Sequence, residues 1–260
     1  MKKFIIIAGI FLFGAFHIFP QSAAVHIDGG RFLKRIEYNG IARGRNTEFG
    51  LYNLESKSVL EKIFFGEINS PVEYVFRGSP EGSNEALALR IIGIPEDDSC
   101  RLEVMKLEDM HTIYKWERNI SAQTNEIVIP HDLNILWPDR ELIQKHNKEA
   151  FYLRNSDSLY QQYRPAPKAY QISRAFAGEL YRKISSLIDR FKGEGIPPTI
   201  HDGYEATFRC AVENEVWTLT IHIPQWKALE LSNLCRQIIA DGLNNEIDES
   251  KYLKLLDEIN

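Results

Sequence analysis

The stretch Tyr204-Glu205-Ala206-Thr207-Phe208-Arg209-Cys210-Ala211-Val212, followed by Glu213-Asn214-Glu215-Val216 and Trp217-Thr218-Leu219-Thr220-Ile221-His222-Ile223, decides the fold. In its first arm Tyr204, Ala206, Phe208, Cys210 and Val212 alternate with Glu205, Thr207, Arg209 and Ala211. In its second, Trp217, Leu219, Ile221 and Ile223 alternate with Thr218, Thr220 and His222. Period-2 alternation is the signature of a strand with one buried face. A three-residue loop would set Cys210 against Thr218 and mix the faces. A four-residue loop, Glu213 to Val216, pairs Val212 with Trp217, Cys210 with Leu219 and Phe208 with Ile221, and is the expected register. On this reading Thr207 faces His222 and Phe208 enters the core. Arg209 lies on the opposite face, where replacement by alanine should cost no more than about 0.5 kcal/mol.

Helices flank the hairpin. Ser173 is an N-cap for a helix carrying Ala177, Leu180, Ile184, Leu187, Ile188 and Phe191, which Gly193, Gly195, Pro197 and Pro198 end. Downstream, Leu231, Leu234, Cys235 and Ile238 form one stripe, with Gly242 as its stop. A last helix starts near Asp248 and carries Tyr252, Leu255, Leu256 and Ile259. A lone hairpin is marginal in water, so these helices or further strands must cover it.

Upstream, Phe32, Ile36 and Tyr38 mark a first strand, and Asn46 or Thr47 opens a helix running to Phe65. Val72–Arg77, Ala86–Ile92 and Cys100–Leu107, separated by Gly- and Pro-containing loops, form an antiparallel meander that Thr112–Trp116 and Glu126–Ile129 extend. Asp139–Tyr163 is a charged surface helix with a break near Asn155–Asp157, and Arg164-Pro165-Ala166-Pro167 is a linker. The expected fold class is α+β: an N-terminal antiparallel β-meander with a helix, then a C-terminal helix–β-hairpin–helix–helix unit. The expected organisation is a signal peptide at 1–24, a sheet subdomain at 25–130, a charged helical segment and linker at 131–172, and the hairpin subdomain at 173–260. An alternative joins the hairpin to the first sheet in one domain.

Met1, Lys2 and Lys3 precede an apolar run, Phe4 to Phe19, then Pro20 and the small residues Ser22, Ala23 and Ala24. That is the layout of a secretory signal peptide cleaved after Ala24, with an uncleaved membrane anchor as the alternative. Cleavage takes Lys2 and Lys3 from 31 basic residues, leaving 29 against 36 acidic ones. An acidic chain argues against nucleic acid as the main partner. At 260 residues, 44% apolar and 26% charged, the composition is that of a globular protein and not of a disordered one.

The layout resembles uncharacterised secreted proteins of Gram-negative anaerobic bacteria. The resemblance is densest from Phe191 to Gly242, in Gly195-Ile196-Pro197-Pro198, Asp202-Gly203-Tyr204 and Val216-Trp217. It implies export and a bacterial host, and it carries no activity.

Four groups of residues are candidates for chemistry. His201, Asp202 and His222 can bind a metal or act as acid and base, although the strand register separates the two histidines and Asp202-Gly203 is also a turn. Tyr160, Tyr163, Arg164 and Tyr170 form either a binding platform or the packing of a linker. Glu96, Asp97 and Asp98 read as a solvated turn without Ca²⁺-loop spacing. Cys210 and Cys235 either bridge or pack as small apolar groups. Nucleophile-elbow, zinc-protease, phosphate-loop and dinucleotide motifs are missing from the sequence. No cofactor is implied. The expected function is an exported, periplasmic or secreted protein that binds or scaffolds an envelope protein or glycan. It is not an integral membrane protein after cleavage. The alternative is a hydrolase or metal-dependent enzyme with scattered catalytic residues.

Overall fold

The computed structural model describes residues 25–26, 32–38, 57–66, 69–93, 99–128, 140–191, 203–213 and 215–259. Its strands are β1 (Val25–His26), β2 (Phe32–Tyr38), β3 (Val72–Arg77), β4 (Glu85–Gly93), β5 (Ser99–Glu108), β6 (Lys168–Ser173), β7 (Glu205–Val212) and β8 (Glu215–His222). They form one antiparallel sheet in the order β1-β2-β8-β7-β3-β4-β5-β6. The hairpin β7–β8 therefore sits at the centre, with β2 on one side and the meander on the other. Boundaries at residues 130 and 172 cut through this sheet, because β6 pairs with β5 and β7 pairs with β3. The segment 164–167 leads into an edge strand and does not link separate bodies. The fold is α+β.

The hairpin turns more tightly than expected. Val212 pairs with Glu215, Cys210 with Trp217, Phe208 with Leu219 and Ala206 with Ile221, so the loop has two residues rather than four. Glu213 takes φ 52° to make the turn, and positive φ in a two-residue loop matches the twist of the flanking strands. The correction is a shift of two residues, which leaves every side chain on its expected face. Alternation distinguishes odd from even registers, and it cannot separate one even register from the next. Phe208 and Ile221 still share a core.

That core lies between one sheet face and helices α5 (Arg174–Arg190), α6 (Trp226–Asn244) and α7 (Glu249–Glu258). Ser173 Oγ accepts from Phe176 N, and Asp248 accepts from Lys251 N, so both expected caps form. Gly242 does not stop α6, which continues to Asn244 and ends where Asn245 turns left-handed at φ 64°. A Cβ on residue 242 would lie 2.8 Å from Val104 Cγ2. The glycine lets the helix approach the sheet closely. Gly242→Ala should cost roughly 1–3 kcal/mol, read as a lower urea midpoint; an unchanged midpoint would show that Val104 gives way freely.

The other face carries α1 (Val59–Phe65), α2 (Met110–Thr124) and α4 (Asp157–Gln161), with α3 (Arg140–Arg154) packed on α2. Ser58 and Glu61 close a capping box at the start of α1. The helix expected from residue 46 or 47 lies outside the described residues up to 56. Thr112–Trp116 is helical and not a strand: Asp109 caps α2, and Met110, Ile113, Ile120 and Thr124 are its buried stripe. Residues 126–128 are not strand either, and α3 and α4 are separated at Asn155–Ser156.

Candidate functional site

On the face under α1, polar side chains stand beside an apolar row of Val75, Ala88 and Met105, and neighbouring strands line them up in rows of their own. One row runs Glu103, Arg90, Glu73, Arg209, Thr218 across five strands. Arg90 pairs with Glu103 at 2.6 Å. Arg209 meets Glu73 at 3.6 Å and donates to Glu61 of α1 at 2.6 Å. Lys57 reaches Glu73 at 2.9 Å, and the same carboxylate oxygen accepts from Ser70 N. Arg209 is 1% exposed, which corrects its expected place on an open surface.

Burial alone would raise the Glu61 carboxyl, but the Arg209 charge and hydrogen bonds from Ser58 and Arg209 hold it below the usual range. Burial lowers Lys57, only partly offset by Glu73. A carboxyl depressed in the folded state binds fewer protons there than when unfolded. Its contribution is present above the unfolded value of about 4.3 and is lost as pH falls through the lower folded value. The urea midpoint should therefore fall from pH ~5 downward, and less steeply in Glu61→Gln. Parallel declines would remove Glu61 from the acid response.

Two residues further along the strands, Thr207 and Thr220 hydroxyls meet at 3.1 Å. The next row is His222, Glu205, Arg77, Ala86. Directly opposed side chains have Cβ atoms about 4.5–5.5 Å apart, so an imidazole, a carboxyl and a guanidinium project side by side. Helix α2 claims the guanidinium. Glu117 takes two bonds from Arg77 at 2.7 and 2.6 Å, and the group lies 4.9 Å from the Tyr114 ring centre. Glu205 is left without a hydrogen bond or ion pair among the described residues. Burial raises its carboxyl; the Arg77 charge opposes this, and Glu61 and Glu117 add to it. These groups open into a cleft of about 290 Å³, walled also by Tyr114, Gly203 and the β3–β4 loop with Ser79 and Glu81.

His222 thus lies in the cleft, facing Glu205 and not Thr207. His201 and Asp202 lie outside the described residues, as do Glu96, Asp97 and Asp98. Among the described residues no three His, Cys, Asp or Glu side chains group to hold a metal. The aromatic candidates do not converge. Tyr160 is buried and donates to Arg154 O, and Tyr163 stacks on Trp116 at 5.0 Å. Arg164 binds the Ile63 and Lys62 carbonyls at the end of α1. Tyr170 belongs to the opposite face, where its hydroxyl donates to Gly242 O. They are packing contacts and not a platform. Cys210 and Cys235 are free thiols in the main core, so the bridge is not formed. Burial pushes Cys210 up to about 12 and Cys235 higher still, which makes both unreactive.

Sequence reasoning missed Arg77 and Glu205. Each has a polar position in an alternating strand, but only the β3–β7 pairing aligns them. No helix among the described residues is long and apolar enough to cross a membrane. No protein-family model, curated protein or solved structure matches the chain.

Proposed function

We propose that this chain is an exported component of a bacterial cell envelope that acts by binding, with the Arg77–Glu205–His222 cleft as its ligand site. The observation that carries the reading is Glu205: a half-buried carboxyl in a cleft, without a hydrogen bond or ion pair among the described residues, next to an arginine that gives two hydrogen bonds to Glu117. Polar groups withdrawn from water without a protein partner cost free energy, and a ligand that supplies the partner recovers it. Exposed apolar side chains on the arm of α2 and α3 support a scaffolding contact as well: Ile127 and Val128, on a segment held to α3 by Asn147, with Leu142 and Tyr152.

A hydrolase is the second reading, favoured by the same carboxyl, since a carboxyl raised by burial and standing opposite an imidazole supplies the side chains of an acid–base pair. Screening fragment mixtures against ¹⁵N-labelled protein tests the first. Shifts concentrated at Gly78–Glu81 and Gly203, with no turnover of ester, glycoside or peptide substrates, are expected. Turnover that Glu205→Gln abolishes would establish the hydrolase instead.

Export has its own test. The purified exported protein should begin near Val25, and N-terminal sequencing that recovers Met1 from membranes would favour an anchor.

A further inference from the structure

We propose that the cleft takes the cationic tip of an amine or guanidinium ligand, with the Glu205 carboxylate as its counter-ion. This rests on the binding reading of the cleft. The charge balance of the walls selects the class. Among the described residues of the lining Arg77 is the one cationic side chain, and its hydrogen bonds go to Glu117. Glu205 and Glu81 remain as carboxylates facing the same space. An anion would have to pull Arg77 from a two-point bond with Glu117 and then sit against both.

Hydrogen bonding selects in the same direction. The Glu205 carboxylate, which has no hydrogen bond or ion pair among the described residues, offers unpaired oxygens to the several N–H groups of an ammonium or guanidinium. A cation also relieves the repulsion that Glu61 and Glu117 impose on Glu205. Size narrows the class further. At about 290 Å³ the cleft is at the small end for ligand sites. It suits one alkylamine or arginine-like tip and not a nucleotide or an oligosaccharide. Such a tip arrives either on a free diamine or on a basic side chain of a peptide, and the chemistry is the same.

The test is calorimetric titration of the full chain, with amide shifts mapped by NMR. The probes are 1,5-diaminopentane, Nα-acetyl-arginine amide, a lysine-containing tetrapeptide, Nα-acetyl-citrulline amide and succinate. The arginine amide should bind and move Gly78–Glu81 and Gly203, with citrulline at least roughly tenfold weaker, the discrimination expected of a charge-assisted bond. The diamine and the tetrapeptide compete for this site, and the tighter of the two identifies the source. Glu205→Gln should weaken the arginine amide by roughly 10–100-fold with the thermal midpoint retained. Glu81→Gln, on an exposed loop position, is the second variant and should weaken it by a few-fold. Citrulline or succinate binding as tightly at these amides would overturn the cationic class and leave the cleft as a site. No probe moving these amides would overturn the site itself.

Discussion

Replacing Arg209 with alanine is expected to cost roughly 3–5 kcal/mol, the effect of breaking a buried ion pair from one side. The guanidinium is 1% exposed, and its removal leaves Glu61 and Glu73 as buried carboxylates with Lys57 as their remaining nearby cation among the described residues. Most of the loss is this orphaned charge and not the strength of the contact. Arg209→Met combined with Glu61→Met should therefore recover much of it, because both charges leave together. Urea unfolding measures each step. A single-variant loss below about 1 kcal/mol would place Arg209 in water.

The second large effect is at the adjacent residue. Phe208→Ala should also cost about 3–5 kcal/mol. The ring is fully buried and packs 5.2 Å from that of Tyr74, whose hydroxyl pairs with Ser232 of α6 at 2.7 Å. Neighbouring positions on a strand face opposite ways, so equal costs at 208 and 209 mean that both faces of the sheet are covered. A double-mutant cycle also reads the register. Phe208 should couple more strongly to Leu219, its direct partner, than to Ile221, and the reverse order would restore the four-residue loop.

This pair of residues shows what the sequence can and cannot reveal. Alternation from Tyr204 to Ile223 identifies the hairpin and its apolar face, and local capping marks Ser173 and Asp248. The polar face of the same strand looks solvated, because its cover comes from distant residues: Glu61 lies in α1, and its fit to Arg209 is a tertiary fact. Helix α2 was obscured by its content of Thr112, Ile113, Tyr114 and Trp116, all favourable in strands. Its packing through Met110, Ile113 and Ile120 overrides that preference. His222 is visible as a histidine on a strand's polar side. Its companions Glu205 and Arg77 become a site only once β7 has paired with β3, and no local pattern announces that pairing.

The cleft depends on one electrostatic circumstance: the Arg77 hydrogen bonds go to Glu117, so Glu205 has no donor among the described residues. A ¹³C NMR titration of the Glu205 side-chain carboxyl measures this directly. The carboxyl should titrate above the usual value of about 4.3, and Glu117→Gln should bring it down by freeing Arg77 to pair with it. A wild-type value at or below the usual one, unmoved by Glu117→Gln, would contradict the account.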